Sequence, residues 1–231
     1  MLRFPLGLIA ILGILLPNAL LAQNSPLAFE PIDAQYSSSL DKIIMISANP
    51  NELHIYDPVT DQDATVALSY VPLNLSVSPD GYRAAVMHNS AVSYVDLQSG
   101  IVEHIFSTTA TTGKVVLSDG YIYVLPSYEG NLLSIDLQDG NVTTNSFFYG
   151  SGGRLDTTVN AIYGTDDGLS PDNLNKYDIS SGPIQRQTGG PYHGDYPICG
   201  DVWFSPDGSR VYTACGTVFM LPQTPVWTCI T

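Results

Sequence analysis

Short apolar stretches, each about the length of one strand, recur along most of the chain with turn residues between them. IIMIS at 43–47, ELHIYD at 52–57 and TVAL at 65–68 form one such group. TTVNAIYGT at 157–165 and NLNKYDISSG at 173–182 form another. Alternation of apolar and polar positions at Ser76–Ser78, Val92–Val95 and Val211–Thr213 predicts strands buried on one or both faces. Two segments share a longer order. Leu75–Phe106 and Val115–Phe147 each run strand, Asp-Gly turn, strand, short loop, strand ending in Asp, Gly-containing turn, strand. Asp-Gly suits the hairpin because glycine accepts positive φ without a steric penalty.

The pattern repeats at a fixed period. The Asp residues closing the third strands are Asp57, Asp96, Asp136 and Asp178, at spacings of 39, 40 and 42. Leu-Gln-x-Gly follows two of them, at Leu97–Gly100 and Leu137–Gly140. Ser205–Gly208 echoes the Ser-Pro-Asp-Gly turn of Ser78–Gly81. A period near 40 with four strands per unit predicts an all-β chain built as a β-propeller of four-stranded blades. A β-sandwich would not need the same turn residues at the same phase. The expected units are 40–72, 73–112, 113–154, 155–200 and an incomplete 201–231, with 23–39 as a linker or an N-terminal strand. That is about 4.5–5 blades, and it reads as a five-bladed minimum or a truncated larger propeller.

The stretch VSPDGYRAAVMHNSAVSYVDLQSG at 77–100 resembles the YVTN-type repeat of bacterial secreted and surface propellers, a relative of the WD40 and TolB-type repeats. The match lies in the Ser-Pro-Asp-Gly turn and in the strand ending in Asp. Where that family has its Tyr-Val-Thr-Asn strand, this chain has Ala85-Val86-Met87-His88-Asn89. The resemblance implies a fold far more than an activity, because such propellers host binding proteins, lactonases and dehydrogenase subunits.

Composition narrows the location and the partners. Residues 1–22 show a positive start at Arg3, an apolar run over 4–16 and a break at Pro17, the pattern of a secretory signal peptide. The run is shorter than a membrane-spanning helix needs, so no integral membrane segment is expected in the mature chain. Export would leave the protein secreted, extracellular or periplasmic. The net charge is −14, from 22 Asp and Glu against 8 Lys and Arg, which argues against nucleic acid as a partner. All three Cys lie at 199, 215 and 229. The hairpin turn at Pro206–Ser209 should bring Cys199 and Cys215 together, leaving Cys229 without a partner.

Candidate chemistry is sparse. His54 and His104 fall within strand patterns, whereas His88 sits toward a hairpin tip. Tyr192, His193 and Asp195, in the segment GGPYHGDYPICGD, and His88 are the ligand-binding candidates. Asp166, Asp167 and Asp172, in TDDGLSPDN, offer hard oxygen donors of the kind calcium takes, although the spacing does not match an EF-hand loop. No cofactor is otherwise implied, and there is no Gly-x-Ser-x-Gly or His-Glu-x-x-His motif. The sequence therefore points to a binding or interaction module for a protein, glycan or small ligand, with no catalytic residue assigned. The alternatives are a lactonase- or quinoprotein-type enzyme with a central-channel site and a fragment without activity of its own.

Overall fold

The computed structural model describes residues 26–190 and 194–221. Every regular element among them is a strand, and no helix there is long and apolar enough to cross a membrane. The first sheet holds β1 (Asp33–Ser37), β2 (Lys42–Ser47), β3 (Glu52–Asp57) and β4 (Gln62–Ala67). The second holds β5 (Asn74–Val77), β6 (Arg83–His88), β7 (Ala91–Asp96) and β8 (Ile101–Ser107). The third holds β9 (Gly113–Leu117), β10 (Tyr121–Pro126), β11 (Gly130–Asp136) and β12 (Val142–Phe148). The fourth holds β13 (Gly152–Asp156), β14 (Ala161–Asp166), β15 (Asn173–Asp178) and β16 (Arg186–Gly189). The fifth has three described strands, β17 (Val202–Phe204), β18 (Arg210–Thr213) and β19 (Val218–Met220). Each sheet is an antiparallel meander in chain order. The first strands of successive sheets pack side by side, β1 on β5, β5 on β9, β9 on β13 and β13 on β17. The described residues form five blades of a β-propeller, with the repeat that the period predicts.

Two sheets begin where the apolar pattern gives little sign of a strand. β1 lies in the 23–39 segment, and β13 begins at Gly152, three residues ahead of the expected fourth unit. Gly152 and Gly153 contribute no side chain to an alternating pattern, so the start of β13 carries no hydrophobic signal.

The core is divided among the seams between blades. Ile44, Ile46 and Leu53 of the first sheet bury against Leu75, Val86 and Val95 of the second. Met87 and Val92 meet Val124 and Leu133 at the next seam. Leu125 and Leu132 meet Ile162 and Tyr177, and Tyr163 and Leu174 meet Val211 and Phe219. On the far face of the fifth sheet, Trp203, Tyr212 and Val218 form a cross-strand row and are exposed, as is Met220.

The turns explain the acidic composition. Asp57, Asp96, Asp136 and Asp178 each turn Oδ1 back to accept a backbone N–H two residues on, from Val59, Gln98, Gln138 and Ser180. This is an Asx turn, repeated at the same phase in four blades. The two Ser-Pro-Asp-Gly turns are also alike. Ser78 Oγ donates to Asp80 and Ser205 Oγ to Asp207, both at 2.5 Å, while Gly81 and Gly208 take φ of 78° and 66°.

These hydrogen bonds favour the ionised carboxylates. The Lys42 ammonium holds Asp57 well below the usual range, with Thr60 and Val59 adding hydrogen bonds. The Ser78 hydroxyl and Tyr82 N–H lower Asp80, the Ser99 N–H lowers Asp96, and the Ser205 hydroxyl brings Asp207 to about 2. A depressed folded pKa means that the unfolded chain binds protons first as the pH falls. The thermal midpoint should therefore hold from pH 7 to about 5 and fall through about pH 4 toward 2. Circular dichroism melts across that range will check it, and a midpoint that rises below about pH 4 contradicts it.

Candidate functional site

The inner strands can be aligned on the residue that opens each first hairpin: Ser37, Ser78, Ser118, Asp156 and Ser205. Two residues before it stand Gln35, Ser76, Val116, Arg154 and Trp203, and four before it stand Asp33, Asn74, Lys114, Gly152 and Asp201. In the first two blades these side chains serve the next inner strand. Asp33 Oδ2 accepts from Leu75 N at 3.1 Å, and Gln35 both accepts from Val77 N and donates to Leu75 O at 2.9 Å. Asn74 donates to Gly113 O and accepts from Val115 N, while Ser76 Oγ accepts from Leu117 N at 2.9 Å. Backbone groups on the free edge of β5 and β9 are thus satisfied by side chains.

In the third and fourth blades the same two positions hold Lys114 and Arg154, and both turn to Asp201. Arg154 Nη2 donates to Asp201 Oδ2 at 2.8 Å, and Lys114 Nζ lies 3.4 Å from the same oxygen. Buried Arg154 Nε–H meets no acceptor among the described residues. The guanidinium lies over the Trp203 ring at 5.5 Å. A cavity of about 130 Å³ opens between the inner strands, lined by Asp33, Gln35, Ser76, Lys114, Arg154 and Asp201 among others. Residues from all five blades reach it, which makes it the axial channel of the propeller.

The segment before β17 fixes Asp201. Cys199 and Cys215 are disulfide-bonded, with Cα atoms 5.5 Å apart, as the hairpin geometry predicts. Ala214 N donates to both Cys199 O and Asp201 O. Gly200 N donates to Asp167 Oδ2 at 2.8 Å, and Gly200 O accepts from Thr165 Oγ1 at 2.6 Å. A Cβ on Gly152 would stand 2.3 Å from Gly200 O and 2.5 Å from Asp201 Cα. Only glycine permits so close an approach of the two backbones.

The sequence candidates fall in separate places. Tyr192 and His193 lie outside the described residues. Asp195 is exposed. His88 is 0% exposed, with Nε2 at 2.8 Å from Ser93 Oγ and Nδ1 at 3.1 Å from Val71 O. Burial lowers its pKa, which favours the neutral ring. The carboxylates of Asp167 and Asp166 have different partners, and Asp172 contributes its backbone carbonyl. Asp167 Oδ2 takes Ser151 Oγ and Gly200 N, Asp166 Oδ2 takes Asn175 Nδ2, and Asp172 O takes Gly194 N. Among the described residues no three metal-ligating side chains gather.

One arrangement escaped the linear reading. His54 Nε2 lies 2.9 Å from Ser47 Oγ, and Nδ1 lies 2.7 Å from Asp63 Oδ2. This is the spacing of a nucleophile, base and orienting acid. Ser47 is 1% exposed, its hydroxyl is shared with Pro50 O, and Phe29 stacks on the His54 ring at 3.6 Å. The same diagonal position carries His88 with Ser93 in the second blade and Asp166 with Asn175 in the fourth. The trio is thus one case of a recurring polar pair, with Ser47 and His54 both buried. The channel residues were missed as well. Their signal is faint, a charged residue two or four places before the first hairpin.

Removing the disulfide should loosen the anchor of Asp201. Cys199 and Cys215 are 16 residues apart, and opening a loop of that size should cost about 2–4 kcal/mol. Urea unfolding of the Cys199→Ser, Cys215→Ser double variant will measure it, and an unchanged midpoint would show that the hydrogen bonds alone hold the segment.

No family model and no curated protein matches the chain. Solved structures do match. Hydrazine synthase of Kuenenia stuttgartiensis aligns with a TM-score of 0.61 at 17% identity over 82% of this chain and 56% of that one. The β-propeller domain of Cps50 (Swd1) from Myceliophteria thermophila aligns at 0.62 and 12%, over 83% and 66%. Hsv2 of Kluyveromyces lactis aligns at 0.61 and 10%, over 84% and 61%. The chain therefore spans between 56% and 66% of the length of these three structures. At such identities the likeness is one of fold, and it agrees with the blades described above: the chain is a β-propeller.

Proposed function

We propose that this chain is an exported β-propeller binding module whose axial channel receives a small ligand. The observation that carries the reading is the change of use at the two inner-strand positions. In the first two blades those side chains are spent on the neighbouring backbone; in the third and fourth they are Lys114 and Arg154, both beside the channel cavity. Pockets with a few convergent polar groups on rigid strands are the usual form of a ligand site. Export is supported by the pattern of residues 1–22 and by the Cys199–Cys215 disulfide, which persists in oxidising compartments. The YVTN-type turn and strand of 77–100 fit a secreted or surface propeller of that kind. Tyr192, His193 and Asp195 precede Asp201 in the sequence, and we assign them to contact with a protein or glycan partner.

A library of small metabolites scored by thermal shift tests the channel. Thr157 is exposed and lines the cavity, so Thr157→Trp should fill the space without disturbing the core and abolish the shift of every channel ligand. Hits that survive Thr157→Trp would place binding elsewhere.

The second reading is a propeller enzyme with a channel ion such as calcium. It draws on the equal phase of Asp33 and Asp201. Working against it, Lys114 and Arg154 already occupy Asp201 Oδ2, and a divalent cation would have to displace them. Calcium at about 1 mM, enough to fill even a weak extracellular-type site, should leave the thermal midpoint unchanged, and a stabilisation reversed by chelator would favour the enzyme reading.

A further inference from the structure

Resting on the channel reading, we infer that the ligand is held by an oxyanion group, a carboxylate or a phosphate, received by Lys114 and Arg154. The chain has 8 Lys and Arg against 22 Asp and Glu, yet two of those cations converge on one carboxylate oxygen in the channel. Asp201 therefore balances only one of the two charges. Its other oxygen is engaged, Oδ1 accepting from Val202 N at 3.0 Å. The remaining channel acid, Asp33, spends its oxygens on Ala34 N and Leu75 N at the seam between the first two blades. With Asp33 counted the lining is neutral as a whole, so the positive charge left for an incoming anion is a local one, on the side of the third to fifth blades.

The chemistry of the two cations supports this assignment. Arg154 gives one N–H, from Nη2, to Asp201, and its side chain is partly exposed and lines the cavity. A guanidinium carries several N–H donors and grips oxyanions in fork geometry. Lys114 meets Asp201 at a longer 3.4 Å and remains partly exposed, so its other N–H groups can turn to a ligand. A ring of inner-strand walls excludes bulk water from one side and strengthens such contacts. The cavity of about 130 Å³ suits a small acid or a single phosphate group rather than a polymer.

Calorimetric titration of the full chain with inorganic phosphate, succinate and acetate tests the inference, with glucose and putrescine as neutral and cationic controls. Phosphate or succinate should bind saturably, and the better of the two identifies the oxyanion. Affinity should fall as salt rises from about 20 mM to about 300 mM. Lys114→Met keeps the length of the stem and removes the charge, and should weaken binding at least about tenfold. Lys114→Arg should restore most of it, which separates loss of charge from loss of fold. Anion binding unchanged in Lys114→Met, or no saturable anion binding at all, overturns the inference. If glucose or putrescine binds instead and Thr157→Trp blocks it, the oxyanion assignment fails while the channel reading stands.

Discussion

The unpaired inner edge of each sheet is the constraint on which the rest of this structure depends. A four-stranded meander leaves a row of backbone N–H and C=O groups on its first strand, and in a propeller that row faces the axis. Water in a narrow channel is a poor general solution. Here Asp33, Gln35, Asn74 and Ser76 reach across from one blade and satisfy the edge of the next, as a partner strand would. These contacts set the spacing of β1, β5 and β9, and that spacing in turn lets the apolar faces of the first three sheets close into two seam cores. The same positions in the later blades, released from that duty, carry the charges of the channel.

The fifth blade joins the ring by different means. Its first strand is short, and no side chain of β13 bonds to the backbone of β17 as Asn74 does to that of β9. The join relies on the segment before it, where the disulfide, Asp167, Thr165 and the bare backbone of Gly152 hold Gly200 and Asp201 in place. Asp167 thereby has a role that its acidic neighbourhood obscured. Its carboxylate positions a backbone amide one residue from the channel.

The fold was legible because its signals are local. A turn needs glycine at a positive φ and an aspartate to cap it, so Asp96, Asp136 and the two Ser-Pro-Asp-Gly turns report their phase directly in the sequence. The disulfide was legible for the same reason, since one hairpin brings both cysteines together. The site was not. Lys114, Arg154 and Asp201 are separated by one blade each, and nothing in their immediate neighbours marks them. Their convergence follows only from the ring. His88 shows the converse. It stands near a loop in the sequence, but the last residue of β6 points into the sheet and pairs with Ser93, and its burial is set by strand register.

Under the proposed reading, charge placement would give the channel its selectivity. The acids Asp80 and Asp207 at the blade turns are kept ionised by their hydrogen bonds and are exposed, and acids outnumber bases along the chain by 22 to 8. They surround the molecule with negative potential that is screened beyond about 8–10 Å at physiological salt. A long polyanion approaching the surface would meet many of these charges at once and be repelled. A small oxyanion carries one or two charges past them, within the screening length, and then meets Lys114 and Arg154 where low-dielectric walls focus the field. On the proposed reading the acidic exterior and the Lys114–Arg154 side of the channel would act together: the first would oppose nucleic acid and other large anions, and the second would favour the small ones that can enter. A cation would be drawn to the surface but opposed inside, where Asp201 already has two partners.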